Sequence, residues 1–109
     1  MSFYVSNQQG ESERDVTPER MAQLLVGIDP ADVEHPDVWL THSSGWTISV
    51  FGSGLVILTN LAARGTLAMH QRLAGPLMAL PLWEQLARGD VAGVQARPWQ
   101  PGYGGVVAR

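Results

Sequence analysis

The 109-residue chain contains no cysteine and no lysine. The first absence excludes disulfides, thiolate nucleophiles and cysteine-ligated zinc. The second excludes a lysine Schiff base, a P-loop lysine and a buried lysine base. All seven basic residues are arginine, a usage that a GC-rich bacterial genome produces without any functional demand. No carboxylate lies between Val38 and Trp83, so the centre of the chain offers little to a two-carboxylate hydrolase or to an oxygen-ligand metal site. No apolar run approaches the ~20 residues that span a bilayer. The first residues lack the basic and apolar segments of a signal peptide. These features predict a cytoplasmic protein with no membrane partner.

What is present fits one folded domain over residues 1–109. The hydrophobic fraction is 45% and the charged fraction 16%, which suits a packed core. The net charge of −3 is unevenly distributed: residues 1–54 carry eight carboxylates against two arginines, whereas the remainder carries Glu84 and Asp90 against five arginines. Four of the ten acids, Asp29, Asp32, Glu34 and Asp37, fall within nine residues. The net charge and the scatter of the arginines disfavour nucleic acid as a partner.

Alternation of apolar and polar residues predicts a strand over 3–8 and a short one over 12–16. Thr17, Pro18 and Glu19 then supply an N-cap, a proline at the first helical position and an acid in the first turn. Met21, Leu24, Leu25 and Ile28 form one helical stripe, weakened at Gly27 and ended by Asp29-Pro30. Residues 29–37, with two prolines and four acids, read as a solvated loop. Three β-branched and aromatic runs follow, at 38–40, 46–51 and 55–59, separated by Ser43-Ser44-Gly45 and Gly52-Ser53-Gly54. A further strand is expected over 66–72 and a helix over 81–88, with Leu82, Trp83 and Leu86 on its apolar face. A helical turn should follow at 90–94. The Pro/Gly-rich tail, 100–109, reads as irregular and anchored by Trp99. The fold expected is therefore α+β: a four- or five-stranded antiparallel meander with two helices packed on one face.

The candidate chemistry is thin. His42 stands beside Ser43 and Ser44, but no G-x-S-x-G elbow is present and turn formation accounts for these residues. His35, His42 and His70 match no metal-ligand spacing; a site built from Asp37, His42 and His70 needs the strands to bring them together. No glycine-rich loop opens a helix after a strand, so nucleotide binding has no support, and no metal or cofactor is expected. Trp46 and Trp83 fall on periodic apolar faces and read as core. Trp39 and Trp99 stand beside loops, where an aromatic side chain can anchor a partner.

Gly45-Trp46 and Gly54-Leu55-Val56 each enter a strand, Leu82-Trp83-Glu84-Gln85-Leu86-Ala87-Arg88-Gly89-Asp90 ends a helix, and Pro98-Trp99-Gln100-Pro101-Gly102-Tyr103-Gly104 closes the pattern. Over residues 45–104 this resembles small stand-alone bacterial immunity proteins, which are encoded beside large secreted toxins. The resemblance implies a protein that neutralises a cognate toxin without catalysis and brings no catalytic residue with it. The acidic half points to a cationic partner such as a nuclease, with Asp29, Asp32, Glu34, Asp37, Trp39 and Trp99 as the binding residues. Two other readings compete: a small metal-dependent enzyme around Asp37, His42 and His70, and a homodimeric regulatory module joined through a sheet edge or the Trp99 tail.

Overall fold

A computed structural model describes residues 2–29, 31–63, 65 and 67–104. Its chain order is β1 (Phe3–Ser6), β2 (Ser12–Arg14), α1 (Pro18–Val26), β3 (Asp37–His42), β4 (Trp46–Phe51), β5 (Leu55–Asn60), β6 (Met69–Arg72), a 3₁₀ turn (Pro76–Ala79), α2 (Leu80–Ala87), α3 (Val91–Gln95) and β7 (Gln100–Pro101). All seven strands join one antiparallel sheet in the order β2-β1-β3-β4-β5-β6-β7.

The α+β class agrees with the sequence pattern, but the described residues form a sheet of seven strands rather than four or five, with three α-helices rather than two. The short strand expected over 12–16 is β2, at one edge, and the strand that was not expected is β7, at the other. Three-residue β2 is polar throughout and two-residue β7 contains Pro101. The latter is too short to show a period and forms because β6 presents unpaired backbone groups. The meander holds only from β3 onward, since β1 lies between β2 and β3 and α1 carries the chain from the outer edge back to β3. The start of the tail is likewise not irregular: Gln100 pairs with His70 and Pro101 with Met69. Arg64, Thr66 and residues 105–109 lie outside the described residues.

Helix α1 starts where its capping residues place it. The Thr17 hydroxyl accepts the Arg20 N–H at 3.2 Å, and Pro18 and Glu19 occupy the first turn. Thr17→Ala is therefore expected to cost about 1 kcal/mol, read as a lower urea midpoint at unchanged slope. The helix ends at Gly27, whose N–H donates to the Gln23 carbonyl at 3.0 Å. Met21 and Leu25 face the sheet, and Leu82, Trp83 and Leu86 of α2 and Val94 of α3 extend the same layer. Opposite them stand Val5, Val38, Leu40, Ile48, Val50, Val56 and Leu58, every second residue of the four central strands. The helices thus cover one sheet face, and the burial of these side chains supplies most of the folding free energy.

Arg20 also reaches across from α1 to β2, its Nε and guanidinium donating to the Glu13 carboxylate at 3.0 and 2.7 Å. These hydrogen bonds hold the Glu13 carboxyl below its ordinary range. Asp90, which caps α3 by accepting the Gly93 N–H at 3.0 Å, is lowered by hydrogen bonds from Gln85 and from the Gly93 backbone. A carboxyl whose folded pKa lies below its unfolded value stabilises the fold above the unfolded value and loses that contribution as pH falls through the folded one. Acid titration should therefore destabilise the protein below about pH 4. The double variant Glu13→Gln, Asp90→Asn should show a smaller decrease over that interval, measured by urea unfolding at each pH.

The β4–β5 hairpin turns through Gly52-Ser53-Gly54. Gly54 has φ +90°, and a Cβ at this position would lie 2.3 Å from the Leu73 carbonyl oxygen. Both the left-handed backbone and the close approach exclude a side chain, so Gly54→Ala should cost about 2–3 kcal/mol, checked by thermal midpoint. Among the described residues no helix is long and apolar enough to cross a membrane.

Candidate functional site

The register assigns the second sheet face to a different set of side chains. One row across the sheet reads Arg14, Tyr4, Thr41, Thr47, Thr59, and the next reads Ser12, Ser6, Trp39, Ser49, Ile57, His70, Gln100. Hydroxyls and aromatic rings dominate, and the Thr41 and Thr47 hydroxyls bond to each other at 3.0 Å. No helix of the described residues packs on this face, because all three lie on the opposite one.

At one end of this face, Gln8, Gln9, Gly10, Glu34, His35, Pro36, Asp37 and Trp39 line a cleft of about 310 Å³. This lies at the small end of the ~300–1,000 Å³ range of ligand pockets. Three of the predicted binding residues, Glu34, Asp37 and Trp39, thus meet in one place, and among the described residues no arginine lines it. Asp32 stands just behind the rim: its carboxylate accepts the His35 N–H at 3.1 Å and lies 3.4 Å from His35 Nδ1. Asp29 accepts the Ala31 N–H at 2.9 Å. Aspartate side chains that bond the backbone two or three residues on form tight turns, and they give this proline-containing segment a definite shape.

Gln8 holds that shape in place. Its amide nitrogen donates to the Asp29 carbonyl at 3.1 Å and to the His35 carbonyl at 2.7 Å, while its oxygen accepts the Asp29 N–H at 2.8 Å. The side chain is buried. A single side chain two positions beyond β1 therefore ties down the acidic segment at Asp29 and at His35. Sequence reading placed Gln8 on the polar side of the first strand and missed this role, since its partners lie 21 and 27 positions away and leave no local pattern. Gln8→Ala would leave these backbone groups without their partner and is expected to cost about 1–3 kcal/mol. Amide exchange of residues 29–35 should accelerate more than that of β4.

The other sequence candidates separate from the cleft. Asp37, expected on a solvated loop, is only 2% exposed and begins β3. Trp39, expected beside a loop, sits half-buried inside that strand. Trp99 packs against the main core and donates its Nε1–H to the Val94 carbonyl at 2.7 Å, so it anchors the chain after α3 and does not join the cleft. His70 lies three strands from Asp37, roughly 14 Å at ~4.8 Å per strand. His42 shares the strand parity of Val38 and Leu40 and so belongs to the helix side. The structure does not bring Asp37, His42 and His70 together, and among the described residues no group of three or more acidic or histidine side chains could hold a metal ion.

His42 does approach a serine, with Nδ1 2.8 Å from the Ser44 hydroxyl. That nitrogen also accepts the Ser44 backbone N–H at 3.1 Å, which makes the pair a turn-closing contact between near neighbours. The opposite nitrogen, Nε2, is buried with no hydrogen-bond partner among the described residues, so the orienting acid of a triad is missing there. The Gly45 N–H donates to the His42 carbonyl at 2.9 Å and is not free to stabilise an oxyanion.

Comparison with family models, with curated proteins and with solved structures finds no match to this chain.

Proposed function

We propose that this protein is an immunity-type inhibitor that binds and neutralises a cognate bacterial toxin, a cationic nuclease, in the cytoplasm and without catalysis of its own. The observation that carries this reading is the convergence of Glu34, Asp37 and Trp39 in one cleft whose acidic rim is held by Gln8. A cationic side chain entering there meets the exposed Glu34 carboxylate for charge pairing and the Trp39 indole. A rim already ordered before binding avoids the entropy of ordering a loop on contact. The hydroxyl-rich sheet face beside the cleft offers further hydrogen-bonding surface without a helix in the way.

The test is co-expression with toxin domains encoded by the flanking reading frames. Growth rescue together with a stoichiometric complex supports the proposal. If no flanking product is toxic, or if a toxic product is neither bound nor neutralised, the proposal fails.

A further inference from the structure

The helix-free face is polar over most of its area, as expected of the solvated side of an antiparallel sheet. Phe51, Leu55 and Ile57 break that pattern, and together with Ala68 they form a small buried apolar cluster that shares no residue with the main core. Among the described residues the cover is the short segment 102–104, which leaves β7 and lies against β5 and β6. Tyr103 packs on the cluster. The Gly102 N–H donates to the Ala68 carbonyl at 2.8 Å, the His70 Nδ1–H donates to the Gly102 carbonyl at 3.0 Å, and the Arg72 guanidinium donates to the Gly104 carbonyl. Gly104 has φ +64°, and a Cβ there would lie 2.8 Å from Leu55 Cδ1 and 2.9 Å from His70 Cδ2. The segment is thus closely fitted to the sheet but attached, among the described residues, by few bonds, and those from His70 and Arg72 are exposed to solvent.

Its position relates it to the cleft. Phe51 pairs directly with Asp37, and Ser49 stands between Trp39 and Ile57. The covered patch and the cleft therefore occupy adjoining parts of the same two rows of the sheet.

We propose that residues 102–104 form a displaceable strap. In the free protein Tyr103 closes the apolar patch of Phe51, Leu55 and Ile57, and an apolar side chain of the protein partner takes its place when the neighbouring cleft is engaged. This inference rests on the reading of the cleft as the partner site. A cluster separate from the main core, whose cover is held among the described residues by few bonds, two of them solvent-exposed, can open without unfolding the helices. A partner that binds only the open form binds with an apparent affinity reduced by the closed fraction, so the strap sets the rate and selectivity of docking.

Two full-length variants test it, Gly104→Val and Tyr103→Ser. Both should raise the fluorescence of the hydrophobic dye ANS at least threefold under native conditions and accelerate exchange of the Gly102 amide at least tenfold, with β3 and β4 protection unchanged. Unchanged dye binding and exchange would overturn the strap. So would protection lost across the whole sheet at once, which would make the segment part of one cooperative core. With the toxin domain identified as above, the open variants should associate at least threefold faster; equal or slower association would overturn displacement by the partner. The dye and exchange measurements need no partner. Their failure therefore counts against the strap alone, whereas a toxin domain that binds no version of the chain counts against the immunity reading.

Discussion

Trp39→Ala is expected to weaken binding of the cationic toxin domain by about 30-fold or more, the effect of losing a central aromatic anchor worth at least ~2 kcal/mol. The indole lines the acidic cleft yet belongs to β3, where pairing with Ser6 and Ser49 fixes its direction. An anchor on a paired strand loses little entropy on binding. Glu34→Lys should act differently. Glu34 is exposed on the rim, so reversing its charge should slow association several-fold and flatten the salt dependence, with less change in dissociation. Interferometry at several salt concentrations separates the two effects. If both variants bind as the parent does while the complex persists, the partner sits elsewhere on the molecule. Asp37 is unsuited to such a test because a buried carboxylate at the start of β3 cannot be reversed without disturbing the strand.

Trp83→Ala should cost about 3–5 kcal/mol, a large share of the ~5–15 kcal/mol that stabilises a domain of this size. The thermal midpoint should fall by roughly 12 °C or more. Trp83 is completely buried on α2, between the helical layer and the central strands, and its Nε1–H donates to the Ile48 carbonyl at 3.1 Å. Two losses are therefore combined: a large cavity, and a main-chain acceptor deprived of its indole donor. Trp83→Phe separates them. It keeps most of the ring volume and removes the donor, so its cost should be about 1–3 kcal/mol. Equal costs for the two variants would mean that the hydrogen bond dominates; a near-zero cost for Ala would contradict a core role.

Much of the helical layer was legible in advance because its signals are local. Thr17-Pro18-Glu19 announces the start of α1, the stripe of Met21, Leu24 and Leu25 shows which side faces inward, and Leu82, Trp83 and Leu86 do the same for α2. The strands β3, β4 and β5 were legible as β-branched runs between glycine-containing turns. The short edge strand β2 was legible too, as a segment over 12–16 turning back on β1, whereas β7 was not, since two residues carry no period and its pairing depends on β6, distant in sequence. The same difference applies to the site. The acids of residues 29–37 stand out as a cluster, whereas the side chain that orders them, Gln8, has no neighbour in sequence that reveals its task.

The sequence by itself determined the class of fold, the inward faces of the two main helices, the cysteine- and lysine-free chemistry and the concentration of acid in residues 29–37. All of these follow from composition or from contacts within a few residues. Only the tertiary structure decided that Trp39 and Asp37 share a cleft with Glu34, that Trp99 belongs to the core, and that Tyr103 closes a patch beside that cleft on the helix-free sheet face. Those relations depend on strand order and register, which backbone hydrogen bonds between distant segments set and which no stretch of sequence specifies alone.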